Sequence, residues 1–491
     1  MRSAYPVPMA GILVQAGLAA HNPRMHKRLL LILLFPLLFP YAALASTDPA
    51  ACVPVSVEAP LPLPRADRAG VPGCVAYRRA PRSLTGESAQ VLVFGDPQVK
   101  FDDDVDYFRR DIVQPLQGRH VARLGVTLGD LVDDVPALLP AVRQVTESLG
   151  VPWLYAPGNH DVDPGATSDE TSLRLFHQRI GPDTFARQTA LANLVVLDDV
   201  IYRPGQKPAY IGGFREDQFA FLERWLPTLP RDRLLVLAMH IPLFEDAAKD
   251  SFRDADRHRL FALLAPFPHV LVLSAHNHSQ RHYYHAAADG WTGVKPLHEF
   301  NLGAACGSYW AGARDADGIP DATMSDGTPN GYALLTVNAG GDYALAWHAA
   351  RDAADSQIGL HAPKALRRGA YPAWGVFANV YMGDDDTRVE FRVDGGEWLP
   401  MKKVLQPDPR LMAENRRDDE AIALRGYDRS PEAEVSAHLW RAALPTRLAV
   451  GEHRIDVRAF DRWRGEVTAS TTYSLLEYQP PQPHQVLQSR P

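Results

Sequence analysis

Five short apolar runs, each ending in carboxylates, amides or imidazoles, constrain what this chain can fold into. Val91–Phe94 runs into Gly95-Asp96-Pro97-Gln98, and Leu124–Leu128 into Gly129-Asp130-Leu131-Val132-Asp133-Asp134. Val151–Ala156 leads to Gly158-Asn159-His160-Asp161, Leu234–Met239 to His240, and Val270–Leu273 to Ser274-Ala275-His276-Asn277-His278. Apolar runs of this length bounded by Gly and Pro read as buried strands. Helical spacing fills the gaps at Asp103–Leu116, Pro136–Ser148, Glu216–Leu226 and Phe252–Leu264. Strands alternating with helices imply βαβ units and an α/β core. Such sheets bind ligands beyond the carboxyl ends of their strands, so the polar clusters are expected on one rim.

The clusters supply Asp96, Gln98, Asp130, Asn159, His240, His276 and His278 as candidate metal ligands. Carboxylate and imidazole suit Mn, Fe or Zn, and the lack of Cys argues against a closed structural zinc site. Seven groups exceed what one ion needs, so two ions sharing a carboxylate are expected. Paired ions roughly 3.5–4 Å apart clamp the attacking and leaving oxygens of a displacement at phosphorus and acidify a water into hydroxide. His160 is left to act as general acid, with Asp133 or Asp161 orienting its ring.

In order, these clusters resemble the signature D-x-H, G-D-x-x-D, G-N-H-D/E, H, G-H-x-H of the calcineurin-like metallophosphoesterases, over residues 89 to about 350. The resemblance implies a metallophosphoesterase-type β-sheet sandwich flanked by helices. It implies Asp130 as the bridging carboxylate, Asp96, Gln98 and His278 on one ion, and Asn159, His240 and His276 on the other. His160 becomes the catalytic histidine and Asp133 its partner. Two residues depart from the signature. Gln98 replaces a histidine, as in a D-P-Q branch of the family, and its harder, less basic amide oxygen tilts that ion toward Mn or Mg. Ala275 replaces a glycine. Asp134 stands where protein phosphatases of the superfamily place a phosphate-binding arginine, so Arg281 is the candidate for that role.

Residues 301–331 are rich in Gly and Asp yet aromatic, which reads as either a functional loop or a self-packed Ω-loop. Tyr309, Trp310 and Asn330 are its candidate substrate contacts. From about 356 to 478 short alternating runs and the hairpin signal Asp394-Gly395-Gly396 suggest an all-β sandwich of immunoglobulin or fibronectin type. Gly396-Glu397-Trp398, His438–Arg441 and Gly451-Glu452-His453 resemble the C-terminal domain of some bacterial family members. The tail 479–491 reads as disordered.

At the other end, Met25-His26-Lys27-Arg28, the apolar run Leu29–Phe35 and Ala43-Leu44-Ala45 form a signal peptide cleaved after Ala45, with Met25 as the expected start. Pro36 and Pro40 interrupt the run short of the roughly 20 residues a spanning helix needs. Export to the periplasm follows, with no transmembrane helix after cleavage. Residues 46–88 form a Pro-rich extension in which Cys52 and Cys74 are expected to pair, leaving Cys306 as a packed thiol. The net charge of −7 and absence of a basic run disfavour nucleic acid. His120, His177, His282 and His285 read as structural.

The expected function is therefore exported, two-metal hydrolysis of a small-molecule or envelope phosphate mono- or diester, with Mn favoured. A rival reading is a periplasmic glycan-binding or scaffold protein with a vestigial metal site, the C-terminal domain contacting glycan.

Overall fold

The computed structural model describes residues 53–56, 74–78, 84–244, 252–371, 374–424 and 426–477, with side chains from residue 84 onward. The signal segment, Cys52 and the tail lie outside the described residues, as do the side chain of Cys74 and the expected disulfide. Among the described residues no helix is long and apolar enough to cross a membrane.

The five motif-bearing runs are strands β1 (Ser88–Phe94), β2 (Leu124–Leu128), β3 (Trp153–Ala156), β4 (Leu234–Ala238) and β5 (Val270–Ser274). They divide between two sheets. β1, β2 and β3 run parallel in a five-stranded sheet completed by Gly331–Asn338 and Tyr343–Ala349. β4 and β5 run parallel in an eight-stranded sheet with Ala192–Val196 and Leu297–Asn301. Val53–Ser56 and Cys74–Arg78 add two strands to the edge of this second sheet, so the Pro-rich extension contributes backbone pairing.

Both faces of β4 are buried, which is why its sequence does not alternate. Leu234, Val236 and Ala238 join β1 and β2 residues such as Val91, Val93 and Val126 in the core between the sheets. Leu235, Leu237 and Met239 turn outward to Phe219, Leu222, Leu260 and Phe261, on helices Glu216–Trp225 and Asp254–Leu264. The chain is thus a mixed α/β sandwich, and facing sheets bring all five strand exits together at one end.

The expected helix Asp103–Leu116 is broken. An α-turn over Asp102–Tyr107 widens to a π-turn at Phe108–Val113 and tightens at Gln114–Leu116, where Pro115 supplies no donor. The C-terminal region is a two-sheet β structure, including Gly375–Val380 and Val435–Ala443 on one sheet and Val389–Val393, Gly451–Asp461 and Gly465–Leu476 on the other. Asp394 (φ 51°) and Gly395 (φ 71°) make its hairpin turn. Helix Pro409–Glu420, capped by the Asp408 carboxylate, interrupts the sandwich.

Most of residues 301–331 is packed, with 313–317 left exposed. Leu302, Ala304, Ala305, Cys306 and Met324 are fully buried, and the segment pins the β1 exit. Ala305 N–H donates to the Gly95 carbonyl (2.7 Å), Cys306 N–H to that of Asp96 (3.1 Å) and Trp310 Nε1 to that of Pro97 (2.9 Å).

Candidate metal and catalytic site

Asp96, Gln98, Asp130, His276 and His278 all adopt left-handed backbone conformations, with φ of 41°, 39°, 46°, 70° and 48°. Non-glycine residues avoid this region, at a cost of about 1–3 kcal/mol each, and such strain clusters at functional sites. Here it turns each side chain off the end of its strand. Two glycines make room for the result. A Cβ on Gly158 would lie 2.2 Å from Asp130 Oδ1, and one on Gly129 (φ 93°) would lie 2.6 Å from His240 Nδ1.

His240 is the centre of the arrangement. Its Nδ1 lies 2.8 Å from the Leu128 carbonyl oxygen, which can only accept, so Nδ1 carries a proton. Around its Nε2 stand Asn159 Oδ1 at 3.0 Å, His276 Nδ1 at 3.1 Å and Asp130 Oδ2 at 3.2 Å. These are ligand atoms gathered around a fully buried imidazole, with His276 partly open to solvent, and positive charge among them favours their mutual approach. Burial opposes protonation of His240, yet Asp130, Asp96 and Asp199 raise it to about 10. Burial lifts Asp96 to about 8 despite His240 beside it. Asp130 is held well below the usual carboxylate range, because His240 and His160 outweigh its burial. The donor set fits a divalent cation, which would supply that charge with both carboxylates ionised and the imidazoles neutral.

The Gln98 side is looser. Asp96 accepts the His276 N–H at 3.3 Å, while Gln98 Oε1 lies 4.0 Å and His278 Nδ1 3.8 Å from Cys306 Sγ. Gln98 Nε2 is buried without a hydrogen-bond partner.

His160 lies beside this centre. Its N–H donates to Asp130 Oδ1 (2.8 Å), and its Nδ1 stands 3.0 Å from Asp134 Oδ1 and 3.2 Å from Asp133 Oδ1. Burial opposes protonation of the ring, but the Asp134 bond with the charges of Asp130 and Asp133 raises it to about 9. With Nδ1 committed to carboxylates, Nε2 is the nitrogen left for proton transfer.

Several expected residues stand elsewhere than foreseen. Asp161 does not touch the His160 ring: its Oδ1 accepts the N–H groups of Leu131 (2.9 Å) and Val132 (3.2 Å), and its Oδ2 that of Gly158 (2.8 Å). Asn330 is fully buried, donating to Asp111 Oδ2 and the Ala305 carbonyl. Trp310 is spent on the Pro97 carbonyl. The Arg281 guanidinium lies over the rings of Phe244 and Tyr283, at 4.7 and 5.2 Å. Tyr309 does reach the site, its ring 4.8 Å from that of His278.

Two contributors were not foreseen. Lys100 Nζ pairs with Asp133 Oδ2 at 2.5 Å, and nothing in its local sequence marks it. Asp199 Oδ1 accepts the His240 N–H at 3.1 Å. The doublet Asp198-Asp199 follows a strand, the same pattern that exposed the ligand clusters.

A family model described as calcineurin-like phosphoesterase matches residues 89–280, and one described as the C-terminal of calcineurin-like phosphoesterase matches 299–466. No curated protein matches the chain. Among solved structures, a purple acid phosphatase, PPD1, from yellow lupin (Lupinus luteus) seeds is similar over 55% of this chain and 52% of its own length. It shares 15% identity, with a TM-score of 0.39.

Proposed function

This chain belongs to the calcineurin-like phosphoesterase family and is a metal-dependent phosphoric ester hydrolase; from that premise we propose an exported enzyme that holds two ions and cleaves a phosphate mono- or diester. The observation that carries the two-ion reading is the gathering of Asp130, Asn159 and His276 around His240 Nε2, with Asp96 accepting the His276 N–H and Gln98 and His278 both approaching Cys306 Sγ. Divalent ions held there, with Mn favoured, would supply Lewis acidity and lower the pKa of water.

The chain's own residues do the rest. Asp130 is shared between the two ligand sets. The His240 Nδ1 bond to the Leu128 carbonyl keeps Nε2 turned to the ligands. His160 holds a proton on Nε2 and passes it to the leaving oxygen, while Asp133 and Asp134 favour its charged form before transfer. Lys100 holds the Asp133 carboxylate in place.

Export rests on the signal-like segment that ends at Ala45. A vestigial site is disfavoured by the strained backbone at five ligand positions. Envelope contact through the C-terminal domain has less support, since Trp440 is buried and Trp398 is flanked by Arg392 and Arg458. The test is the purified chain with Mn on phenyl phosphate and a phenyl diester, with elemental analysis alongside. Two ions per chain and chelator-sensitive turnover are expected. Turnover that survives chelation, or none with any divalent metal, overturns the reading.

A further inference from the structure

Beside Gln98 the surface opens into a cavity of about 120 Å³. Phe101, Tyr309 and Tyr427 line it, 55%, 45% and 50% exposed. A single exposed aromatic needs no explanation. Three around one cavity do, because they come from three unrelated segments: the loop after β1, the 301–331 segment and the C-terminal domain. Each, half exposed, forgoes about half of the roughly 1.5–3 kcal/mol that full burial of such a side chain contributes.

The cavity adjoins the reaction centre. Gln98 and Asp133 line it, and Asp133 also contacts His160 Nδ1 at 3.2 Å. A group attached through oxygen to phosphorus would enter here. The lining cations are already engaged: Lys100 pairs with Asp133, and Arg314 bonds to the Tyr107 hydroxyl and lies 3.8 Å from Asp428. A second phosphate would therefore compete with existing ion pairs, whereas an uncharged ring meets aromatic faces. An enclosed apolar cavity of about 150 Å³ holds benzene; this one is smaller, at about 120 Å³, but open to solvent, so a ring can seat in it with one edge outside.

We infer that this cavity binds an uncharged ring, aryl or sugar, carried on the substrate's phosphoester, and that Tyr427 of the C-terminal domain forms one wall. The inference rests on the phosphoesterase reading for its substrate class. Tyr427 suits a test because the Gly312 N–H bonds its main-chain carbonyl at 2.8 Å, so removing the ring leaves the segment anchored.

The experiment is calorimetric binding of phenylphosphonate and methylphosphonate to the Mn-loaded full chain and to Tyr427→Ala, Tyr427→Phe and Phe101→Ala. Phenylphosphonate is expected to bind about tenfold more tightly, a gain in keeping with aromatic contact plus burial. Tyr427→Ala and Phe101→Ala should each cut that ratio severalfold with metal content unchanged, and Tyr427→Phe should retain it. Equal affinities, no measurable binding of either compound, or a preference that survives both alanine variants overturns the inference. The two readings fail separately. A phenyl preference without hydrolysis of phenyl phosphate sinks the esterase and leaves the ring site standing, and hydrolysis with equal affinities does the reverse.

Discussion

At His160 two carboxylates share one ring nitrogen, and this fixes what its loss should do. Asp133 and Asp134 favour the charged ring, which suits the general-acid role we propose for it. His160→Asn should lower kcat by about 10²–10⁴-fold while metal content stays at the wild-type level. The loss should be larger for an alkyl phosphate, whose leaving alkoxide needs the proton, than for p-nitrophenyl phosphate. Equal losses on both would remove the general-acid role. Gly158 allows a prediction from steric contact alone. The Cβ of Gly158→Ala would meet Asp130 Oδ1 at 2.2 Å and its backbone N at 2.3 Å, both inside van der Waals contact and one of them backbone. Asp130 must shift, and elemental analysis should show lost metal together with lost turnover. A variant with full metal content would mean that the β2 exit loop yields more easily than its buried setting implies.

Strand exits carried most of what the sequence could tell. Apolar runs ending in Asp, Asn and His were readable because both signals are local: a buried strand needs a continuous apolar run, and a ligand needs a particular side chain. Which face of β4 looked at which layer was not readable, since Leu234–Ala238 is apolar on both. The roles of Asp161 and Trp310 were also hidden, because each depends on partners far along the chain. Asp161 ties two exits together, accepting from Leu131 and Val132 after β2 and from Gly158 after β3. Asp161→Ala would leave three buried N–H groups without their acceptor, at about 1–3 kcal/mol each. Urea denaturation should show a markedly lower midpoint for this variant. Its residual activity should keep the wild-type dependence on leaving group, unlike His160→Asn. A changed dependence with unchanged stability would return Asp161 to the catalytic group.

On the scale of the whole molecule, the C-terminal sandwich holds the segment that pins the β1 exit. Asp326 of that segment is buried, and its Oδ2 lies 3.1 Å from His438 Nε2 on the sandwich. The same oxygen accepts the N–H of Gln280, two residues past His278, at 2.8 Å. Asn379 Nδ2 donates to the Asp326 carbonyl (2.9 Å) and to Asp408 Oδ2 (2.8 Å), which ties in the helix cap. Burial alone would raise the Asp326 carboxyl, but the His438 bond and the N–H groups of Gln280 and Thr328 hold it below its ordinary value. A carboxyl lowered by folding contributes stability that is fully present above its unfolded pKa, about 3.9. That contribution is lost as pH falls through the lower folded value. The clasp should therefore be intact at neutral pH and loosen only in acid below about pH 4. Thermal midpoints followed from neutral pH down to about pH 3 should fall for the wild type. Asp326→Asn should begin lower and fall less steeply over that acid range, having no carboxylate left to protonate. Because Asp326 also braces the backbone just after His278, the same variant should retain less metal at neutral pH by elemental analysis. Parallel pH curves for the two proteins would remove Asp326 as the source of the acid sensitivity, and undiminished metal content would uncouple the sandwich from the site it borders.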